Sequence, residues 1–533
     1  MADPTAKETW LKGAMWLSLA ALLAKMLSAL YKVPYQNMTG DAGFYVYQQV
    51  YPLYGVALVL GAYGYPLVLA TMMGDSRTAS AAERAARFRF LYLTLIVLHL
   101  LAAVLVWLSA PGLAWVMGDL ALAGPMRWMS LPFLVIPVLA FHRGVFQGMG
   151  RTGPSAASQV LEQVLRVTVI LLLAGWVTWQ GGSAYEAGVS AGAGAFAGGL
   201  GGAVWLMLRM QRTDPLFTEA LYRSGQPIVT KAWKKDLITL IKGGFFVSLS
   251  ALALVSFQLV DAFTVYRGLV ASGEAHVNAA AFKGIYDRSW PLIQFGAVVT
   301  TVFSYAVVPV VSRLFEARNR TGVQQEIHRA VAICLVFGGA AAAGLAVIMP
   351  SVNTMLFMDQ AGNTALRIAS LSILPGALFM TVAVLWHALD QSGRPAKWLL
   401  SGLAVKGLLN VLLIPVFGII GAAVASVTGL VFMAVMVTIA LCKDDWFTGV
   451  SPGFTSKWVL SLVVMAIGAF GVEAAGRYFF GADPVRSEAL VTGVGAAVLG
   501  AVIFVLMIWR IRLFDEATWS MLPLIGSRLP YKN

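Results

Sequence analysis

Charged side chains lie inside apolar stretches of this sequence, and they are the residues from which chemistry can be inferred. Lys25 lies in LLAKMLSAL, Arg288 in YDRSWPL and Lys406 in AVKGLLNVLLIP. A charge near the middle of a membrane helix costs about 2.5–3.5 kcal/mol, so each cation needs a reason to be there. With Arg166, in VLEQVLRVTV, these cations predict a cavity of positive potential that suits phosphate or diphosphate.

Other polar residues accompany the four cations. Glu162 lies four residues before Arg166 on the same helical face, so a local ion pair that satisfies itself is an open alternative. Asp287 is predicted to neutralise the adjacent Arg288, whereas Lys283 could instead extend to the lipid headgroups. Supporting roles are predicted for Asp41, Gln49, Glu162, Asp261, Asp287 and Asn410.

No motif in the sequence indicates catalysis or metal binding. His99, His142 and His387 are scattered, and Cys334 and Cys442 form no disulfide framework or metal-ligand spacing. The glycine-rich run VSAGAGAFAGGLGGAV lacks a Gly-Lys-Ser/Thr ending and indicates a close helix-packing surface. We therefore expect no enzyme activity, no metal and no cofactor.

The composition indicates an all-α polytopic membrane protein. Of 533 residues, 59% are hydrophobic and only 12% are charged, about half the charged fraction of a soluble protein. Apolar segments of about 20 residues, the length that crosses a bilayer as a helix, recur along the whole chain. The net charge of +13 is not gathered in one patch, so it indicates membrane orientation and not nucleic-acid binding.

Fourteen apolar segments are predicted to cross the membrane. They are residues 11–32, 44–72, 89–109, 127–148, 155–177, 184–208, 237–266, 283–311, 326–348, 364–388, 396–415, 418–441, 457–475 and 488–509. Lys and Arg concentrate in alternate connections, while intervening ones such as TWQGGSAYE are poor in both. By the positive-inside rule, this alternation predicts that both termini are cytoplasmic.

Short sequences recur about 240 residues apart, in the same order. YQQVYPL at 47–53 matches YDRSWPL at 286–292, and RWMSL at 127–131 matches RIASL at 367–371. The turn FQGMGRTGP likewise matches LDQSGRP. Each copy holds six spans, so this pattern predicts a parallel duplication with a cavity between two lobes.

The duplication divides the chain into predicted domains. We expect an N-lobe, a cytoplasmic amphipathic tether, a C-lobe, and two extra helices with a cytoplasmic tail. These correspond to residues 1–210, 211–236, 237–442 and 443–533.

At this point the sequence resembles a known family. The run AKMLSALYKVPYQNMTGDAGFYVYQQVYPLYG, the FQGMGRTGP turn and the segment LDQSGRP…KGLLNVLLIPVFGIIGAA resemble the multidrug/oligosaccharidyl-lipid/polysaccharide (MOP) exporter superfamily. Within it, the resemblance is to the polysaccharide-biosynthesis and stage V sporulation protein B-like branch, which includes lipid II flippases. The resemblance spans essentially the whole chain.

The resemblance implies a flippase in the bacterial cell membrane. It would move an undecaprenyl-diphosphate-linked glycan to the outer leaflet by alternating access, as a monomer, using Na⁺, H⁺ or the membrane potential. Lys25 matches a basic residue that matters in the first span of lipid II flippases, Asp41 an acid before the second, and Arg288 a basic residue in the eighth. Their second-span arginine has no counterpart after Pro52, which leaves the headgroup undetermined. The two extra helices would hold the polyprenyl tail.

Three other functions remain as alternatives. A cation-coupled multidrug exporter on the same fold would favour acids in its cavity and twelve spans. A membrane-embedded transferase acting on the same lipid would need paired carboxylates or a metal site. A structural scaffold would leave the buried charges without a purpose.

Overall fold

The computed structural model describes residues 23, 26–76, 81–222, 233–391 and 393–520, which form helices and turns without any strand. In the first half, these helices are α1 (Lys32–Val59), α2 (Tyr65–Asp75), α3 (Ala81–Met117), α4 (Ala123–Ser130), α5 (Ile136–Gly148), α6 (Thr152–Trp179), α7 (Ala184–Thr213), α8 (Pro215–Tyr222) and α9 (Trp233–Ala271). In the second half, they are α10 (His276–Asp287), α11 (Ser289–Glu316), α12 (Arg320–Phe357), α13 (Asn363–Ser370), α14 (Ile373–Ala388), α15 (Arg394–Lys443), α16 (Pro452–Phe480), α17 (Arg486–Arg510) and α18 (Glu516–Ser520).

Eleven helical segments of the described chain are long and apolar enough to cross a membrane. Two of them, Met26–Gly74 with 49 residues and Arg394–Lys443 with 50, are far longer than the roughly 20 residues that one crossing needs. The first overlaps two predicted spans, and so does the second. The protein is therefore a multi-pass helical membrane protein, and the number of 14 spans remains a prediction.

Glycines interrupt both long helices where one predicted span gives way to the next. Gly40 in α1 has φ 68° and ψ −176°, and Gly418 in α15 has φ 55° and ψ −133°. Residues other than glycine rarely adopt this backbone conformation, because their Cβ atom would clash with the neighbouring carbonyl groups. Each glycine therefore lets the chain change direction without a connecting loop.

The chain divides into two compact units, residues 1–287 and 288–533. Unit 1 includes α9 and α10, which the sequence analysis assigns to the C-lobe; α9 packs against α1, α2 and α3, and α10 packs against α1. In unit 2, Ile333, Met465 and Ile508 belong to one apolar cluster that joins α12, α16 and α17. The division into lobes by sequence duplication remains a prediction.

The matching words RWMSL and RIASL have the same local geometry. Ser130 Oγ donates a hydrogen bond to Arg127 O, and Ser370 Oγ donates to Arg367 O, each at 2.7 Å. Both serines end a helix of eight residues, α4 in unit 1 and α13 in unit 2. This equivalence supports the predicted duplication.

Candidate functional site

A row of tyrosines on α1 surrounds a buried lysine in unit 1. Tyr47, Tyr51 and Tyr54 follow one another at spacings of four and three residues, so they share one helical face. Lys32 is 1% exposed, and its Nζ lies 4.4 Å from the ring centre of Tyr51. No hydrogen-bond partner among the described residues reaches this ammonium group. Lys32 is stabilised by cation–π contact with Tyr51 and by electrostatic attraction to Asp287, in α10.

Glu162 on α6 bridges two buried arginines. Its Oε1 accepts a hydrogen bond from Arg166 Nη2 at 2.6 Å, and its Oε2 accepts one from Arg143 Nη2 at 2.8 Å. All three side chains are at most 2% exposed. Arg143 Nε also donates to Ser158 Oγ at 2.9 Å, one helical turn from Glu162. The predicted local pair of Glu162 and Arg166 exists, but the carboxylate is shared with a second cation.

The arginine cluster is joined to the tyrosine row. Arg166 Nη2 donates a hydrogen bond to the Tyr54 hydroxyl, and its guanidinium carbon lies 5.1 Å from the centre of that ring. Tyr51 and Tyr54 are in edge-to-face contact, and Tyr51 is the ring over which Lys32 lies. We call Lys32, Arg143, Glu162, Arg166 and these tyrosines the N-cluster.

The glycine-rich run on α7 brings that helix close to the N-cluster. A Cβ atom on Gly198 would lie 2.5 Å from the Glu162 carbonyl oxygen and 2.8 Å from Arg166 Cβ. Such distances are far inside van der Waals contact, so glycine is needed for α7 to pack against α6. The predicted packing role of this run is confirmed. It fixes the backbone that presents Glu162 and Arg166.

The N-cluster carries excess positive charge. Lys32, Arg143 and Arg166 provide three cations, and Glu162 is the carboxylate that pairs with the two arginines. The formal net charge of these four side chains is +2, and Asp287, in α10, offsets part of it through its attraction to Lys32. A buried charge that is only partly compensated is expensive, so an anion that enters this region would be stabilised. Arginine forks and a lysine ammonium suit the oxygens of a phosphate or diphosphate.

Arg288, in unit 2, is held by an acid that the sequence analysis did not consider. Its Nη1 and Nη2 atoms bind Asp359 Oδ1 and Oδ2 at 2.6 and 2.8 Å, and Nη1 also reaches Asn353 Oδ1 at 3.1 Å. Arg288 is fully buried, whereas the Asp359 side chain is 44% exposed. The guanidinium carbon lies 5.0 Å from the ring centre of Phe357. Arg288 is thus bound in a bidentate ion pair.

The prediction that Asp287 neutralises Arg288 is wrong. Asp287 accepts hydrogen bonds at 2.6 Å from Lys283 Nζ, on the preceding turn of α10. Both partners are buried, so Lys283 does not extend to the headgroups either. The physical reason is that side chains four residues apart lie on the same face of a helix, whereas the side chains of consecutive residues point in different directions.

Lys406 lies buried in α15 of unit 2. Its Nζ donates to Ser426 Oγ at 2.9 Å and lies 4.9 Å from the ring centre of Trp290. Asn410, one turn further along the helix, is fully buried as well. A cation with a hydroxyl and an aromatic ring as neighbours is again a suitable contact for an anion.

Two predicted supporting residues of unit 1 interact with the protein itself. Gln49 Nε2 donates to Ala262 O at 2.8 Å, and Asp261 Oδ2 accepts a hydrogen bond from Tyr286 OH at 2.9 Å. Gln49 and Arg288 therefore occupy matching positions of the repeated word with different partners.

Two further residues, Asp41 and Lys25, were predicted from the sequence near the first span. Asp41 Oδ1 accepts a hydrogen bond from Gln36 Nε2 at 2.9 Å. Lys25 lies outside the described residues, and its role remains a prediction.

Three charged residues of these clusters were not predicted from the sequence. Lys32 ends the first predicted span and Arg143 lies inside the fourth, so the same search for charges in apolar segments could have found both. Asp359 gave no such signal, because it lies in a connection 71 residues from Arg288.

Comparisons with known proteins identify relatives along the whole chain. The polysaccharide biosynthesis protein family matches residues 10–315. The chain is 34% identical over 536 residues to the "Uncharacterized membrane protein YabM" of Bacillus subtilis (strain 168), covering 98% of this chain and 96% of that protein. It is 22% identical over 551 residues to the lipid II flippase MurJ of the same organism, covering 98% and 97%.

Solved structures share the fold. An inward closed conformation of lipid II flippase MurJ matches with a TM-score of 0.64 at 12% identity, covering 94% of this chain and all of the other. An inward-facing multidrug resistance MATE family transporter of the MOP superfamily also matches with a TM-score of 0.64 at 12% identity, covering 80% and 97%. This chain therefore belongs to the polysaccharide biosynthesis protein family, within the MOP superfamily.

Proposed function

We propose that the protein is a flippase that moves a polyprenyl-diphosphate-linked glycan from the inner to the outer leaflet of the bacterial membrane. Its function is transport and not catalysis. The observation that carries the proposal is the excess of buried cations over carboxylates in the N-cluster, inside a multi-pass membrane protein. A diphosphate is the chemical group that such a cluster would compensate.

The substrate class follows from the free energy of moving a charged group across the hydrocarbon core of a membrane. A diphosphate and its sugars cannot cross hydrocarbon unaided, whereas the polyprenyl tail can remain among the lipid chains. Cations buried in a membrane protein lower the free energy of the head during its passage. We propose alternating access, in which the head binds differently to two states of the protein.

Further parts of the proposal rest on the sequence pattern. We propose 14 spans, two six-helix lobes, both termini in the cytoplasm and a monomer, with Na⁺, H⁺ or the membrane potential as the source of energy. Lys25, Arg288 and Lys406 are proposed as further cationic contacts for the substrate. Lipid II is the specific substrate that we propose, because a lipid II flippase is among the relatives.

Complementation tests the proposal. A strain depleted of its lipid II flippase receives the wild-type protein, Lys32→Gln, or Lys234→Gln as a matched control on an exposed lysine. We expect that the wild type and the control restore lipid II in the outer leaflet, whereas Lys32→Gln does not despite equal abundance.

A direct binding assay distinguishes an error in the proposed substrate from an error in the proposed transport function. Purified protein should bind undecaprenyl diphosphate, and Lys32→Gln should weaken this binding by about tenfold or more. Binding without rescue would indicate a different glycan on the same carrier. No binding, together with export of cationic drugs, would overturn the proposal in favour of a multidrug exporter.

A further inference from the structure

A buried carboxylate in unit 2 lies outside the clusters described above. Glu473 on α16 is 3% exposed, and no hydrogen-bond donor among the described residues reaches its Oε1 atom. Ser351, on α12, is the hydrogen-bonding neighbour of the carboxyl group. A carboxylate in a membrane helix with an oxygen left unsatisfied is costly, so a missing partner is expected.

A small cavity adjoins this carboxylate where α12, α16 and α17 meet. Its walls include Ser351, Gln360, Glu473, Arg477 and Thr492, and its volume is about 10 Å³. That volume has room for one water-sized group. The walls also offer several oxygen acceptors, which suit a donor with more than one N–H or O–H bond.

Arg477 gives the cavity a second charge. It is exposed and lies four residues after Glu473, about 6 Å further along the helix axis. Arg367, on α13, adds another positive charge near the carboxylate. The cavity is therefore lined by a buried carboxyl group and by one cation, Arg477, with Arg367 near the carboxyl group.

The end of α16 lies at the level of lipid headgroups. Tyr478 and Phe479 follow Arg477 directly and are 84% and 76% exposed. Exposed aromatic side chains at the end of a membrane helix are typical of the boundary between hydrocarbon and water. A ligand of this cavity is thus expected to come from the headgroup layer, which is the outer leaflet in the proposed orientation.

We propose that this cavity binds the headgroup of an aminophospholipid such as phosphatidylethanolamine. The primary ammonium group would fill the cavity and donate to Glu473 Oε1, and the phosphate would contact Arg477. A choline headgroup does not fit, because its three methyl groups exceed one water-sized group and remove every N–H donor. Phosphatidylglycerol lacks the cation altogether.

Lipid retention tests this proposal independently of transport. The full-length protein is placed in nanodiscs of phosphatidylcholine that contain traces of phosphatidylethanolamine, its N-methylated forms or phosphatidylglycerol, all with the same acyl chains. Native mass spectrometry then counts the lipids that remain bound. We expect phosphatidylethanolamine to be retained about tenfold over phosphatidylcholine, with retention falling at each N-methylation.

Variants identify the site. Glu473→Gln should remove the preference for ethanolamine, and Arg477→Gln should weaken retention of phosphatidylethanolamine and phosphatidylglycerol alike. Glu488→Gln, at the partly exposed start of α17, is the matched control and should change neither, because glutamine can still accept the capping hydrogen bond from the Val485 N–H. Equal retention of all headgroups by the wild type would overturn the proposal. A preference that survives Glu473→Gln would overturn it too, and if that variant does not fold, the methylation series and Arg477→Gln decide.

Discussion

Asp287 and Arg288 are consecutive residues, yet their side chains form ion pairs in different compact units. Asp287 binds Lys283, four residues earlier in unit 1, and Arg288 binds Asp359, 71 residues later in unit 2. The helix is interrupted between them, since α10 ends at Asp287 and α11 begins at Ser289. Each unit thus anchors its own side of this interruption with a buried charge.

The Arg288–Asp359 pair should respond asymmetrically to substitution. Asp359→Asn leaves a fully buried guanidinium without its carboxylate, and we expect a loss of about 3–5 kcal/mol, as for other broken buried pairs. Arg288→Met leaves only a half-exposed carboxylate, which water can solvate, so its cost should be much smaller. Thermal unfolding of the purified variants measures both. An equal loss in the two variants would show that the charge of Arg288 is not the dominant factor.

The same pair makes stability depend on pH. Partial burial acts to raise the pKa of Asp359, but hydrogen bonds from Arg288 and the Ala361 N–H outweigh it and hold the pKa below its usual range. The stabilisation is present above the unfolded pKa of about 3.9 and is lost as pH falls through the lower folded value. Melting temperature should therefore drop more steeply below about pH 4 in the wild type than in Asp359→Asn. Parallel curves would contradict this assignment.

Lys32 should lower the free energy of unfolding of the protein, although transport requires it. Lys32→Met removes a buried ammonium group that has no hydrogen-bond partner among the described residues and keeps its apolar stem, so the melting temperature should stay constant or rise. Export of the lipid-linked glycan should be lost. The measurement combines a thermal melt with outer-leaflet lipid accessibility.

Lys234→Met provides the control for that result, since this lysine is exposed at the start of α9. It should leave both export and melting temperature unchanged. Normal export by Lys32→Met would remove the N-cluster from the transport mechanism.

Glu162 should couple energetically to Arg143. Glu162→Gln alone leaves two buried arginines near each other and should destabilise the protein by about 3–5 kcal/mol. Adding Arg143→Met should recover part of the loss, with an interaction energy of about 0.5–3 kcal/mol in a double-mutant cycle. Chemical or thermal unfolding of the four proteins checks this, and strict additivity would rule out the shared carboxylate.

Gly40 should not tolerate a side chain, and the cause should be its backbone conformation alone. Its φ of 68° is unfavourable for other residues, while nothing lies within 4 Å of an added Cβ atom. Gly40→Ala should therefore cost about 1–3 kcal/mol. Gly112, in α3, has equal space but no positive φ, so Gly112→Ala should stabilise by up to about 1 kcal/mol. Melting temperatures of the two variants discriminate strain from crowding.

Much of the fold could be predicted from local sequence. Apolar segments must be helical in the hydrocarbon core of a membrane, because each backbone N–H and C=O group needs a hydrogen-bond partner within the segment. Composition and segment length therefore predicted the helices. The glycine-rich run also predicted its packing surface, since only residues without side chains allow helices to approach so closely. The boundaries between predicted spans fall beside Gly40 and Gly418, but the sequence did not predict that a glycine with positive φ, and not a connecting loop, makes each change of direction.

The sequence by itself thus determined that this protein spans the membrane repeatedly as helices and buries cations there. Tertiary structure alone decided which acid each cation meets: Glu162 is shared with Arg143, Asp287 binds Lys283, and Arg288 binds Asp359. The free energy of inserting a helix into the membrane depends on the residues of that segment. The choice of ion-pair partner depends instead on contacts between helices that are far apart in sequence. Lys32 has no hydrogen-bond partner among the described residues, and its electrostatic neighbour Asp287, far away in sequence, is evident only from the fold.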